Sequence, residues 1–387
     1  MEYRKFNKYD KPVSLFGIGC MRLPTIQTDS GSVVDEEKSI EMIRYGIDHG
    51  VNYIDTAYPY HNGESELIVG KALKDGYRDR TYLATKSPVW NVKKYEDMER
   101  YLNEQLKKLQ TVCIDFYLLH ALNKSRWDSL TKLNVLDFME KAKASGKIKY
   151  ICFSFHDDYN AFKEIIDAYD WDMCQIQMNI MDRDEQATVE GLKYAGEKNI
   201  PVVIMEPLKG GKLANNIPDE VKRIYGLAKT KRTPVEWAFR WLYNFPQVAV
   251  ILSGVSSMEQ LKDNLRIFEN AKANCMDEEE LALVEKVRQA YLKEVKIPCT
   301  GCEYCLPCPQ GVSIPRIFDH VNSAFMYSSE KDSQNHYRQF LINNGTDASK
   351  CVECGQCESA CPQNIPIIQK LKESHIFLTG QGDFPDD

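Results

Sequence analysis

The run Val51-Asn52-Tyr53-Ile54-Asp55 is a short, largely apolar stretch closed by a carboxylate. The same form returns at Tyr82-Leu83-Ala84-Thr85-Lys86 and at Phe116-Tyr117-Leu118-Leu119-His120. Each ends on a polar side chain that the middle of a buried strand would not hold. Outward from these, apolar runs recur at Tyr53–Asp55, Thr81–Lys86, Ile114–His120, Ile148–Ser154, Met173–Gln177, Val202–Glu206 and Val248–Ser253, with an earlier one near Leu15–Gly19. Amphipathic stretches with helix start signals separate them. Asp35-x-x-Lys38 opens one, with Ile40, Ile43 and Ile47 on a face and Gly50 beyond its end. Thr233-Pro234-Val235-Glu236 reads as a capping box with proline at the first helical position. About eight strand–helix alternations within residues 1–275 predict an α/β fold, a parallel (β/α)8 or TIM barrel. The rival is an open doubly wound sheet, which the absence of a G-x-G-x-x-G between an early strand and its helix disfavours.

Composition narrows the function classes. The chain has 387 residues, 43% hydrophobic and 27% charged, ordinary for a globular protein of one large and one small domain. A net charge of -7 argues against nucleic acid or an anionic membrane surface as a partner. The start Met1-Glu2-Tyr3-Arg4-Lys5-Phe6 lacks the apolar run of a signal peptide. No run of about 18 apolar residues is present, so no membrane span is expected. A cytoplasmic location follows as the expectation, with thiols reduced or metal-bound.

Beyond the barrel, residues 276–296 read as a connecting helix. Asp277-x-x-Glu280 opens it, and Leu281, Val284, Val287, Tyr291 and Val295 form its stripe. From Ile297 the composition turns to Cys, Pro and Gly, and eight of thirteen cysteines form two runs. They are Cys299-x2-Cys302-x2-Cys305-x2-Cys308-Pro309 and Cys351-x2-Cys354-x2-Cys357-x3-Cys361-Pro362. The second matches the bacterial ferredoxin pattern for a [4Fe–4S] cluster; the first is one residue short of it. Three closely spaced thiolates wrap one cubane while the proline-flanked fourth serves the other cluster. Cys299, Cys302, Cys305 and Cys361 are therefore expected to hold one cluster, and Cys351, Cys354, Cys357 and Cys308 the other. Structural zinc is the alternative, although zinc ribbons use separated C-x2-C pairs. Helical patterns near 314–327 and 332–343 make residues 297–378 a small α-helical ferredoxin-like domain, with 379–387 as a loose tail. Cys20, Cys113, Cys152, Cys174 and Cys275 lie in apolar segments and read as structural thiols.

In a barrel the C-terminal strand ends converge, so Asp55, Lys86 and His120 on successive strands face one another, with Tyr60 on the following loop. A lysine beside a tyrosine stabilises the phenolate and pulls the phenol pKa toward neutrality, as a general acid requires. Asp55 balances Lys86, and His120 hydrogen-bonds a substrate oxygen. The set suits protonation of a carbonyl oxygen while hydride arrives at carbon.

On these residues the chain resembles the aldo-keto reductases. Asp55-Thr56-Ala57 with Tyr60, then Gly63-Glu64-Ser65-Glu66 and Gly70-Lys71-Ala72-Leu73, is similar to that family's first signature. Lys86 and His120 match the rest of its tetrad in order. The resemblance covers roughly residues 1–270 and, with the cysteine-rich tail carried by one branch of the family, most of the chain. It implies an NAD(P)H-dependent oxidoreductase reducing an aldehyde or ketone to an alcohol. It places Ser154 and Gln175 on the nicotinamide carboxamide. Phe155-His156 follows the serine where the family usually has Asn. Met205, Pro207 and Leu208 stand where the family often stacks a tyrosine on the nicotinamide ring; a core methionine is the other reading of Met205. Ser253, Gly254 and Ser256, with Gln260 and Asn264, take the adenosine phosphate end, where backbone amides can bind phosphate. Arg or Lys near Ser256 and Gln260 is absent and Glu259 is adjacent, so NADP(H) and NAD(H) both remain. His61 and His156 read first as loop histidines, with a substrate contact at the mouth as the other reading of His156.

Hydride moves two electrons together and each cluster moves one, so direct exchange needs a flavin or a radical-tolerant substrate. No flavin fingerprint is present, although a barrel mouth binds flavin phosphate without one. Two further readings stay open: an electron-transfer oxidoreductase with a redox partner protein, in which the barrel feeds the clusters, and a structural or redox-sensing cluster module.

Overall fold

The computed structural model describes residues 1–4, 12–28 and 31–385. Eight strands run parallel: β1 (Phe16–Gly19), β2 (Tyr53–Asp55), β3 (Tyr82–Ser87), β4 (Ile114–Leu122), β5 (Ile148–Phe155), β6 (Met173–Gln177), β7 (Val202–Met205) and β8 (Val248–Ser253). Each bonds to its successor, and β8 returns to β1 with Ile251 opposite Phe16, closing the barrel. The expected strands stand within a residue or two of these, except that β4 continues past His120 to Leu122. A register irregularity between Leu119 and Leu122 and a left-handed Ala121 (φ 51°) bend the strand there, as bulges do beside active sites.

Helices α1 (Glu36–Asp48), α2 (Ser65–Ala72), α3 (Tyr95–Leu109), α4 (Lys124–Lys132), α5 (Val135–Ala144), α6 (Tyr159–Asp167), α7 (Thr188–Glu197), α8 (Asp219–Tyr225), α9 (Pro234–Tyr243) and α10 (Met258–Ile267) intervene. Helix α1 starts as its sequence predicts, with Asp35 accepting from the Lys38 amide at 3.2 Å. Its buried stripe is Met42, Ile43 and Ile47, and Ile40 lies at the edge. The barrel is filled from inside by an aromatic layer in which Phe116 stacks on Tyr150 at 4.9 Å and lies 5.4 Å from Tyr53. Cys20, Cys152 and Cys174 are buried, while Cys113 and Cys275 are half-buried. A short hairpin, Thr25–Thr28 paired with Gly31–Val34, interrupts the first βα connection and carries no apolar alternation that would have announced it.

The chain divides into two compact units. The first is Met1–Lys209 with Glu236–Asp277; the second is Gly210–Val235 with the chain from Glu278 onward. The second unit adds α11 (Glu278–Leu292), α12 (Ile314–Met326), α13 (Glu330–Tyr337), α14 (Gln356–Ala360) and α15 (Ile367–Thr379). Helix α11 packs on α8, and Arg232 pairs with Glu280 at 2.8 Å. Its inner face is Leu283, Val284, Val287, Ala290 and Tyr291; Leu281, expected on it, is exposed. The unit's core gathers Ile314, Ile317, Phe318 and Val321 of α12 around Tyr337, Leu371 and Phe377. The expected loose tail is packed at Phe384, whose ring meets Phe325 and Phe377, each at 5.9 Å. Among the described residues no helix is long and apolar enough to cross a membrane.

Gly70 fixes the approach of α2 to α3. A Cβ built there would lie 2.6 Å from the Lys108 carbonyl oxygen and 2.8 Å from the Leu109 carbonyl carbon, both backbone atoms that cannot rotate away. Gly70→Ala is expected to destabilise the barrel unit by about 2 kcal/mol through overpacking, read from urea unfolding.

Candidate active site and cysteine cradles

Period-two alternation along β3 decides which side chains reach the mouth. Asp55 pairs in register with Ala84, so Lys86, two residues on, projects to the same inner side. Lys86 Nζ lies 2.6 Å from Asp55 Oδ1, 2.8 Å from the Thr56 carbonyl and 3.4 Å from the Tyr60 hydroxyl, and Lys86 and Asp55 are 1% and 2% exposed. Tyr60 opens the turn Tyr60–Gly63, in which His61 and Asn62 are left-handed (φ 51° and 55°), and its ring meets His120 edge-on at 6.1 Å. The four residues expected from the strand ends thus form one cluster.

Burial opposes the Lys86 ammonium, yet Asp55 and Tyr60 outweigh it and its pKa stands above the ordinary lysine value. Burial pushes the Asp55 carboxyl up, with Lys86 opposing. The expectation for Tyr60 needs correction. Lys86 does lower its pKa, but burial is larger and the net direction is upward. Burial first, then the charges of Lys86, His156 and Arg126, hold His120 well below its ordinary value, so the ring is neutral. Its Nδ1 is buried with no partner, as is Asp55 Oδ2.

Outward-facing Thr85 ties the strand to the helices. Glu66 Oε1 accepts from Thr85 Oγ1 at 2.7 Å and from Gln105 Nε2 at 2.6 Å. Gln105 Nε2 also reaches the Lys86 carbonyl at 3.1 Å, and Tyr117 donates to its Oε1. Ser65 bonds Thr56 Oγ1 at 2.8 Å and donates to the Cys20 carbonyl at 2.9 Å. The glycine-rich signature therefore staples the loop that carries Tyr60. His61 is used structurally: its Nε2 accepts from the Leu23 amide at 3.1 Å.

Around the mouth, Ser154 and Gln175 are direct neighbours in register. Ser154 Oγ accepts from the Ala121 amide at 2.7 Å; Gln175 Nε2 leans on Met205 Sδ at 3.6 Å, and its Oε1 is buried without a partner. That orphaned oxygen suits an amide donor such as a nicotinamide carboxamide. Met205 ends β7, Pro207 is buried and Leu208 half-buried. Ser253, ending β8, accepts from Asn264 Nδ2 at 2.9 Å, both buried; Gln260 Oε1 accepts from the Ser256 amide at 2.9 Å. Gly254 is exposed beneath Arg22, whose side-chain carbons lie 3.1–3.2 Å from where a Cβ on Gly254 would stand. Arg22, Trp90, Arg126 and Gln105 carried no pattern in the sequence, whereas Glu66 belongs to the glycine signature. Trp90 lies 5.0 Å from the His120 ring, and His156 Nδ1 meets Gln186 Oε1 at 3.2 Å.

In the second unit the cysteines face two cavities. Cys299, Cys302, Cys305 and Cys361 line one, walled by Ile314, Pro315, Phe318, Ile365 and Ile367. Cys308, Cys351, Cys354 and Cys357 line the other, with Cys305 between them. The backbone repeats between the runs. Left-handed residues stand at Gly301 and Glu303 (φ 69°, 61°) and again at Glu353 and Gly355 (φ 57°, 75°). They recur at Gly311 and Asn364, in Cys308-Pro309-Gln310-Gly311 and Cys361-Pro362-Gln363-Asn364, each closed by an amide-to-cysteine-carbonyl bond. Such turns point successive amides into a concavity, as at iron–sulfur sites. Donor set and cradle both fit a cubane cluster.

Residues 298–365 match the model of a 4Fe-4S dicluster domain. The chain is 28% identical over 326 residues to an uncharacterized oxidoreductase, YqkF, of Bacillus subtilis, covering 76% of this chain and 97% of that protein. It is 29% identical over 268 residues to the aldo-keto reductase YhdN of the same organism, covering 59% and 78%. Among solved structures, the holo form of aldo-keto reductase AKR11C1 from Bacillus halodurans is similar with a TM-score of 0.62 and 27% identity, over 74% of this chain and 96% of that one. A Klebsiella pneumoniae aldo-keto reductase in complex with NADPH has a TM-score of 0.61 at 23% identity, over 74% and 96%, a likeness of fold. Residues 16–289 match the aldo/keto reductase family model, and the chain belongs to that family, an oxidoreductase with a C-terminal 4Fe-4S dicluster domain.

Proposed function

We propose that this oxidoreductase reduces a small aldehyde or ketone with NAD(P)H, Tyr60 acting as general acid. The observation that carries the reading is the buried Lys86 ammonium touching both Asp55 and the Tyr60 hydroxyl beside a neutral His120. The bound dinucleotide would supply hydride to the carbonyl carbon. Ser154 and Gln175 would hold its carboxamide, with Met205, Pro207 and Leu208 beside the ring. Ser253, Gly254, Ser256, Gln260 and Asn264, with Arg22 above Gly254, would hold its phosphate end. Arg22 packs its side-chain stem over Gly254 while its guanidinium reaches Glu206 at 3.9 Å, and NADPH is the ligand of the Klebsiella protein.

Tyr60 keeps its proton in the resting site because burial disfavours the phenolate. As negative charge grows on the carbonyl oxygen, the hydroxyl donates its proton to that oxygen. Lys86 stabilises the phenolate left behind, Asp55 holds Lys86 in place, and neutral His120 orients the oxygen with its ring N–H. Solvent then restores the Tyr60 proton, and the alcohol leaves. Tyr60→Phe is expected to lower kcat by about 10²–10⁴-fold while the Kd for NADPH stays within about twofold; stopped-flow hydride transfer and fluorescence titration measure both. Turnover at the unchanged rate would remove Tyr60 from this role.

For the second unit we propose two [4Fe–4S] clusters with crossed ligation: Cys299, Cys302, Cys305 and Cys361 on one, Cys308, Cys351, Cys354 and Cys357 on the other. The clusters supply one-electron redox chemistry. Exposure of Cys302 and Cys354 supports exchange with an outside redox partner. Iron analysis of anaerobically prepared double variants separates crossed from local ligation. Cys302→Ala with Cys361→Ala is expected to retain one cluster, about four irons, and Cys354→Ala with Cys361→Ala none. Local ligation predicts the reverse.

A further inference from the structure

We infer that the carbonyl substrate carries a carboxylate, and that Arg126 binds it. This rests on the carbonyl-reduction reading and names the substrate class of the same site. Arg126 stands in the first turn of α4, directly after the strand that ends near His120. One guanidinium nitrogen, Nη1, donates to the carbonyl of Ala121, the residue following His120, at 2.5 Å. The guanidinium carbon lies 5.7 Å from the centre of the Trp90 ring, and that ring lies 5.0 Å from His120. Tyr60, His120, Trp90 and Arg126 therefore follow one another along the mouth.

Among the described residues Arg126 has no counter-charge. Among the described residues no Asp or Glu oxygen lies within 4.0 Å of it, and its donors other than Nη1 have no hydrogen-bond partner. Lys124, two residues earlier, is by contrast paired with both Asp128 and Glu164. The first turn of a helix carries positive partial charge and prefers carboxylates; at α4 that place is taken by Asp157, whose Oδ2 accepts from the Lys124 amide at 2.8 Å and makes no ion pair with Arg126. Arg126 is half-buried. The planar fork of a guanidinium matches a carboxylate through two parallel hydrogen bonds, which an ammonium cannot reproduce. Trp90, 42% exposed, offers a flat apolar wall for the body of such a molecule between the carbonyl and its charged end.

The test pairs turnover with binding. With NADPH, 4-carboxybenzaldehyde is expected to exceed 4-methylbenzaldehyde in kcat/KM by about tenfold or more, mostly through KM. Arg126→Met is expected to bring the ratio to about one, and Arg126→Lys to an intermediate value, since the charge remains without the fork. Calorimetry on the NADPH-loaded protein is expected to show benzoate binding at least about tenfold tighter than benzyl alcohol, a preference lost in Arg126→Met. Equal kcat/KM for the two aldehydes, or an unchanged preference in Arg126→Met, overturns the inference and leaves carbonyl reduction standing. If neither aldehyde turns over yet benzoate binding depends on Arg126, the anion site stands and the carbonyl-reduction reading falls.

Discussion

The Asp55–Lys86 ion pair is the constraint around which the barrel mouth is built. Two opposite charges taken out of water are tolerated only with close geometry and satisfied hydrogen bonds. Both conditions hold for the ammonium, which has Asp55, the Thr56 carbonyl and the Tyr60 hydroxyl around it. Removing one partner of such a pair strands the other and costs about 3–5 kcal/mol. The surrounding structure is correspondingly stiff. Thr85 turns outward into the buried Glu66–Gln105–Tyr117 network, which grips the Lys86 carbonyl from behind. Ser65 grips Thr56 from the side. Strand β3 is thus held on one face by the ion pair and on the other by a polar network reaching α2 and α3.

That rigidity determines the electrostatics. The cluster holds a buried lysine and aspartate against a half-buried tyrosine and histidine, and low dielectric disfavours every added charge. The outcome is one fixed pair with two neutral neighbours: Tyr60 protonated and His120 uncharged. A general acid is useful in its protonated form, so an upward-shifted resting phenol does not conflict with the role. What it requires is that the acceptor oxygen gain negative charge during the reaction, near enough to Lys86 for the proton to move. Lys86 then contributes mainly as the phenolate forms, as preorganised electrostatic stabilisation demands.

The barrel was legible because a fully buried parallel strand reads as an apolar run, and a polar residue at its end has no structural reason to be there. Asp55, Lys86 and His120 were visible on that ground, with β2, β6 and β8 ending where the runs end. Tyr60 needed the loop register as well. The net direction of the Tyr60 shift was not legible, because burial depends on atoms from many segments. Nor were Arg126 and Trp90, each a lone side chain of ordinary type whose meaning comes from lying near His120. The grouping of residues 210–235 with the second unit had no local signal either, since α8 looks like any barrel helix until Arg232 and Glu280 are seen to pair. Leu281 was misplaced for a related reason: it fits the stripe by spacing, but Leu283 and Ala290 define the face that is covered.

The cysteine loops carry the same lesson in backbone form. Their spacing named the thiols, but the repeat between the runs extends beyond cysteine. Gly301 and Glu303 in the first loop correspond to Glu353 and Gly355 in the second, and all four residues are left-handed. Glycine and glutamate exchange places while the conformation stays. The left-handed region costs a non-glycine residue about 1 kcal/mol or more, so each loop tolerates one strained glutamate at a different position. Gly311 and Asn364 repeat the pattern three residues after Cys308 and Cys361, and α12 and α15 begin at Ile314 and Ile367, six residues after those cysteines. A feature kept while the residues providing it differ is set by something other than the side chains. Turns of this kind present successive backbone amides to one side, which suits an anion held between the thiolates. The strain is local, and the conformation it maintains suits a negatively charged, amide-seeking group such as an iron–sulfur cluster.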